Sequence, residues 1–102
     1  MVYDLIVVGG GPAGMLGAAA AGRRGLKVAL LEKNAVLGKK LAITGNGRCN
    51  VTNSGDIEHY KGRIVTNGKF LYSALSTFGS RELMALLQAL GVPTKVERGG
   101  RV

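Results

Sequence analysis

Leu5-Ile6-Val7-Val8-Gly9-Gly10-Gly11-Pro12-Ala13-Gly14 is the stretch that decides the fold of this chain. An uncharged apolar run enters a glycine cluster. The next apolar run, Val28-Ala29-Leu30-Leu31, ends at Glu32. The order is strand, glycine turn, helix start, and second strand tipped by a carboxylate. Gripping the ADP half of a dinucleotide requires that order.

Each position of the turn has a physical role. Gly9 ends the strand and lets the chain turn sharply. Gly11 has no Cβ, so the backbone can approach a pyrophosphate, and Gly14 lets the helix lie close to the strand. Pro12 and Ala13 fall in the first helical turn, where the missing N–H of proline removes no helix hydrogen bond. The free N–H groups there, with about half a positive charge from the macrodipole, face the phosphates. The spacing continues through Ala18 to Gly25. Arg23 and Arg24 suit the helix C-terminus, and Gly25 follows as its C′ residue. Residues 27–32 read as a second strand, apolar enough to be covered on both faces of a parallel sheet. Glu32 at its tip has two oxygens to hold both ribose hydroxyls, and it repels a 2′-phosphate, which disfavours NADP here. A structural glycine turn with no ligand is the competing reading. The spacing, the apolar flanks and Glu32 weigh against it.

The chain has 102 residues, which bounds it to one small domain at most. It carries 14 Lys and Arg against 6 Asp and Glu, a net charge of +8, scattered from Arg23 to Arg101. Such charge suits a nucleic acid, an anionic cofactor or simple solubility, and no recognition helix or RNA-binding signature accompanies it. The uncharged stretch at 5–21 is broken by glycines and Pro12, which argues against a membrane span. No Lys or Arg precedes it, which argues against a secretory signal. The expected compartment is therefore the cytoplasm. The single cysteine, Cys49, excludes an internal disulfide and fits a reducing environment.

A second glycine-rich stretch follows. Lys33 and a polar turn lead to Lys39 and Lys40. Then comes Leu41-Ala42-Ile43-Thr44-Gly45-Asn46-Gly47-Arg48-Cys49-Asn50-Val51-Thr52-Asn53. The Gly, Asn and Thr density at 44–53 predicts a loop rather than a helix or central strand. Arg48 can take a phosphate or a polarised carbonyl. Such a loop can line a polar heteroaromatic ring or the diphosphate beside it. Its plain alternative is a surface turn, with Cys49 a small thiol that has no partner for a dithiol pair.

These motifs resemble the N-terminal part of a bacterial FAD-dependent oxidoreductase family, the aminoacetone oxidase-like or bile-acid dehydroxylation-like flavoproteins. The similarity rests on the Gly9–Gly14 turn, Glu32, Gly38-Lys39-Lys40-Leu41 and above all the Gly47-Arg48-Cys49-Asn50 loop, and it extends to Glu97-Arg98-Gly99-Gly100-Arg101-Val102. The resemblance implies an α/β chain: the N-terminal part of a Rossmann-type FAD-binding domain, with a βαβ unit, a Gly-rich loop and a helix pair. It implies an intact protein about four times as long, binding FAD in an extended pose. Residues 1–102 are then an N-terminal portion, with the family's remaining domains absent and the segment alone inactive. The Gly9–Gly14 turn would hold the pyrophosphate and Glu32 the ribose. Lys39 and Lys40 would lie near the ribityl–pyrophosphate region, and the loop of Gly45, Asn46, Gly47, Arg48, Cys49 and Asn50 near the flavin ring. Lys33 and Thr44 are further cofactor-binding candidates. Members are linked to small amines, steroid-type double bonds and ribosomal RNA uridine. Small-molecule substrate or RNA therefore stays open as partner, as does NAD(P)H as electron donor.

For the last third, residues 54–67 read as a loop with a short strand at 63–66. Phe70, Leu71, Ala74, Leu75 and Phe78 fall at helical spacing. Ser80 is the expected cap of a second helix, with Glu82 in its first turn and Leu83, Leu86, Leu87 and Leu90 as its apolar stripe. Residues 94–98 read as a short strand. His59, the one histidine, reads as a loop residue because no partner for a catalytic base is identifiable. The rival functions are an NAD-dependent dehydrogenase using the same turn, and an RNA-binding or RNA-modifying protein. No metal site is expected.

Overall fold

A computed structural model describes residues 1–102, which fall into two compact units, Met1–Asn50 and Val51–Val102. In the first unit, β1 (Leu5–Val8) and β2 (Val28–Leu31) pair in parallel, with Leu5 opposite Val28 and Val8 opposite Leu31. Between them runs α1 (Pro12–Arg23), packed against both strands. It opens with proline in its first turn and closes at Arg24, whose guanidinium donates to Ala20 O at 3.0 Å. Gly25 follows in the left-handed region with φ +83. Before β1, Asp4 N donates to Lys27 O at 2.9 Å, and Asp4 Oδ2 accepts from Lys27 N at 2.8 Å, which fixes the register of the pair at its open end. The α/β reading of this half therefore holds.

The expected two-sided burial of β2 does not. Leu31 is 53% exposed, and on β1 Ile6 and Val8 are 56% and 83% exposed. One helix covers one face of a two-stranded pair, so the other face stays open.

After β2 the chain turns through residues 32–38 into α2 (Lys39–Gly47). The two lysines to which this turn leads open a helix, which the sequence reading did not assign. The helix loses its regular geometry at Thr44 (φ −62, ψ 153), and Gly45 and Asn46 are left-handed (φ 59 and 56). The predicted glycine-rich irregularity thus begins at the expected residue, inside the end of α2.

The second unit is mostly helical: α3 (Ile57–Lys61), a 3₁₀ turn at Gly68–Leu71, α4 (Tyr72–Thr77) and α5 (Ser80–Ala89). Residues 54–67 are not simply a loop, because Asp56 caps α3 by accepting from His59 N at 2.9 Å. Neither predicted short strand forms. Residues 63–66 run as turn and coil. Residues 94–97 are coil before a 3₁₀ turn at Arg98–Gly100, and the only pairing nearby is an isolated antiparallel bridge from Asn53 to Arg101. The cap of α5 is Gly79 rather than Ser80. Glu82 Oε2 accepts from Gly79 N at 2.9 Å, while Ser80 Oγ donates to Gly55 O at 3.0 Å. A knot of polar bonds ties the start of this unit together. Tyr60 Oη donates to Asn53 O at 2.7 Å and accepts from Asn53 N at 3.0 Å, with Thr52 Oγ1 2.9 Å away.

Candidate functional site

The site grows from the junction of β1 and α1. Gly9 N donates to Leu31 O at 2.8 Å, carrying the parallel ladder one step into the glycine turn. Gly11 caps α1 in an extended conformation, with no side-chain cap and no acidic residue in the first turn. The positive end of a 12-residue helix is therefore left for a ligand to satisfy. A Cβ at Gly11 would meet nothing within 4 Å, so the approach to this turn is open. A Cβ at Gly14 would land on Gly9 O and lie 3.3 Å from Val7 Cγ1. The sequence assignment of Gly14 to close helix–strand packing thus has direct geometric support.

Gly10 carries a role that the motif alone does not reveal. It is buried, its N–H donates to Glu32 Oε2 at 2.8 Å, and its carbonyl accepts from Gly38 N at 2.8 Å. A Cβ there would sit 2.5 Å from Leu37 Cδ2 and 3.0 Å from Glu32 Oε2. The middle glycine is what lets the carboxylate at the tip of β2 reach the glycine turn.

Glu32 Oε1 accepts from Asn34 N at 3.0 Å and from Asn34 Nδ2 at 3.1 Å. The Asn34 backbone N–H, followed by that of Gly10, holds the Glu32 carboxyl below its ordinary 4.5. The group stays ionised at neutral pH and acts as an acceptor. Two backbone N–H groups and the Asn34 amide already donate to this carboxylate, so any ligand hydroxyl would meet a partly satisfied acceptor.

Gly9, Gly10, Gly11 and Pro12 line a cleft of about 410 Å³ together with Glu32, Lys33, Lys39 and Lys40. That is the size range of small-ligand pockets. Ala13 and Gly14 lie in the first turn of α1, beside the cleft rather than on its wall. Thr44, Gly45, Asn46, Gly47, Arg48, Cys49 and Asn50 form a separate cluster that does not line it. In that cluster Thr44 Oγ1 donates to Leu41 O at 2.7 Å, Cys49 N donates to Thr44 O at 3.0 Å, and a Cβ on Gly45 would lie 2.6 Å from the Asn50 side chain. Cys49 is exposed and left-handed (φ 57). The structure contains no group of three or more His, Cys, Asp or Glu that could hold a metal, and no helix long and apolar enough to cross a membrane.

The donor set suits the ADP half of FAD. It offers an uncapped helix N-terminus and cationic side chains for a diphosphate, and a carboxylate for a ribose. Sequence comparison agrees. The family model described as the HI0933-like protein Rossmann domain matches residues 3–102. The chain is 38% identical over 99 residues to the 3-dehydro-bile acid delta(4,6)-reductase of Clostridium scindens, covering 94% of this chain and 23% of that protein. It is 34% identical over 91 residues to the ribosomal RNA dihydrouridine synthase of Escherichia coli, covering 88% of this chain and 22% of that protein. A shorter similarity, 49% over 45 residues, links it to the thioredoxin reductase of Ureaplasma parvum, covering 44% of this chain and 14% of that protein. The chain therefore spans under a quarter of the length of the first two relatives. With the family match running through nearly all of its residues, the chain belongs to the HI0933-like Rossmann-domain family, an FAD-binding family.

Proposed function

We propose that this chain is the FAD-binding segment of a flavin-dependent oxidoreductase, the N-terminal portion of a larger Rossmann-type enzyme. One observation carries the reading: the uncapped start of α1 and the ionised Glu32 open onto the same cleft. The N–H groups of the Gly11–Gly14 turn donate to the pyrophosphate. Glu32 accepts from the adenosine ribose, and Lys33, Lys39 and Lys40 offset the diphosphate charge. The segment from Thr44 to Asn50 lines the flavin end, with Arg48 as its cation. Bound FAD supplies hydride or electron transfer, while the chain contributes orientation and electrostatics. The electron donor of the intact protein is a reduced nicotinamide, in keeping with the name of the relative ferredoxin–NADP reductase 3 of Lysinibacillus sphaericus. The cytoplasm is the proposed compartment, supported by the single unpaired Cys49.

The substrate is a small molecule with a reducible double bond, as the name of the Clostridium relative suggests. An RNA uridine is the second reading, favoured by the Escherichia coli relative and the +8 charge. Competition between FAD and NAD for the intact protein separates the cofactor readings. Quenching of FAD fluorescence that excess NAD does not reverse supports the flavin enzyme; preferential NAD binding overturns it. Steeply salt-dependent RNA binding decides for the second substrate reading, and salt-insensitive or absent binding decides against it.

A further inference from the structure

In the first unit only Gly10, Ala21 and Gly38 are buried, and two of the three are glycines bonded to each other. Gly38 N donates to Gly10 O at 2.8 Å, and Gly38 O accepts from Ala42 N at 3.0 Å in the first turn of α2. Gly38 does both because its backbone is left-handed, with φ +64 and ψ +27. A Cβ at that position would lie 3.1 Å from Met15 Cε on α1. Both backbone groups of Gly10 are thus engaged by the segment after β2: the N–H by Glu32, the carbonyl by Gly38. Lys39 and Lys40 follow Gly38 directly and line the cleft.

We propose that Gly38 is a positioning residue that fixes Lys39 and Lys40 against the phosphate turn by clasping Gly10. The inference rests on the cleft being the diphosphate site. Its content is that the lysines act only while the clasp holds. β-Branched side chains strongly resist the left-handed conformation, whereas asparagine tolerates it. Gly38→Val opens the clasp, and Gly38→Asn largely keeps it.

The test is a double-mutant cycle read by FAD dissociation constants of the intact protein, with thermal melting recorded for every variant. Lys39→Ala/Lys40→Ala raises the constant about tenfold, the scale of one charge-assisted contact. Gly38→Val raises it by a similar factor, and Gly38→Asn by much less. Combining Gly38→Val with the two lysine changes adds little further loss, because the lysines are already displaced. Should Gly38→Val fail to show a cooperative melt, Gly38→Ala takes its place in the cycle. Additive losses overturn the proposal, as does equal loss for Gly38→Asn and Gly38→Val. Gly11→Val is the control for the underlying reading. If it binds FAD as the wild type does, the cleft is not the phosphate site. If it loses FAD while the cycle is additive, only the role of Gly38 fails.

Discussion

Two glycines of one helix predict opposite outcomes for one substitution. At Gly14 a Cβ would land on Gly9 O, a backbone atom at the end of β1. The same residue, Gly9, donates its N–H to Leu31 O at 2.8 Å, so it cannot withdraw without loosening the strand pair. Overpacking costs about 1–3 kcal/mol, and a backbone partner puts this case at the top of that range. Alanine's helix preference over glycine returns about 1 kcal/mol, leaving a net loss of about 2 kcal/mol for Gly14→Ala. At Gly17 a Cβ meets nothing within 4 Å, so Gly17→Ala keeps the full gain of about 1 kcal/mol. For a domain of this size each kcal/mol moves the midpoint by about 4–8 °C. Thermal melts should therefore fall by about 8–16 °C for Gly14→Ala and rise by about 4–8 °C for Gly17→Ala. A Gly14→Ala protein melting at or above the wild type refutes the close approach of α1 to β1.

Replacing Glu32 by Ala should weaken FAD binding by about ten- to a hundred-fold through loss of charge-assisted bonds, measured by fluorescence titration; an unchanged constant removes the ribose assignment. Glu32 also makes stability depend on pH. Its carboxyl is held below 4.5 in the folded protein, so its contribution is fully present above that value and is lost as pH falls through the lowered one. Melts of wild type and Glu32→Gln should differ at pH 7 and converge in acid, and a constant gap across pH contradicts the mechanism. In the second unit, Tyr60→Phe strips partners from Asn53 and Thr52 and should cost about 1–3 kcal/mol in urea denaturation, whereas a neutral effect removes that network from the account.

The β1–α1–β2 unit was legible because its signals are local. Apolar runs, a glycine triplet, Pro12 and Gly25 each act on their own few residues, and they agree. Gly10 and Gly38 were not legible as a pair, since a hydrogen bond between residues far apart in sequence leaves no periodic trace. The Asn34 amide occupies Glu32 Oε1 from only two residues away, a local side-chain contact that the apolar pattern and the glycine spacing do not encode. α3 was missed although Asp56 stood three residues before His59, because five residues are too few to show helical periodicity. The strands read at 63–66 and 94–98 span only a few residues each, and 94–98 holds a single apolar residue, Val96. Here the backbone found turns and a single bridge instead of a neighbouring strand. Ser80 looked like a cap by residue type, yet Glu82 had already satisfied the N–H of Gly79, freeing the hydroxyl for Gly55.

The central claim is that the turn from Gly9 to Gly14 is the phosphate site of an FAD-binding oxidoreductase. FAD titration of the intact protein beside its Gly11→Val variant tests it most directly, since a Cβ at Gly11 has open space around it. The account predicts that the variant still folds, with only a modest loss of stability at the helix cap, while its flavin affinity collapses. A Gly11→Val protein that binds FAD as tightly as the wild type would contradict it.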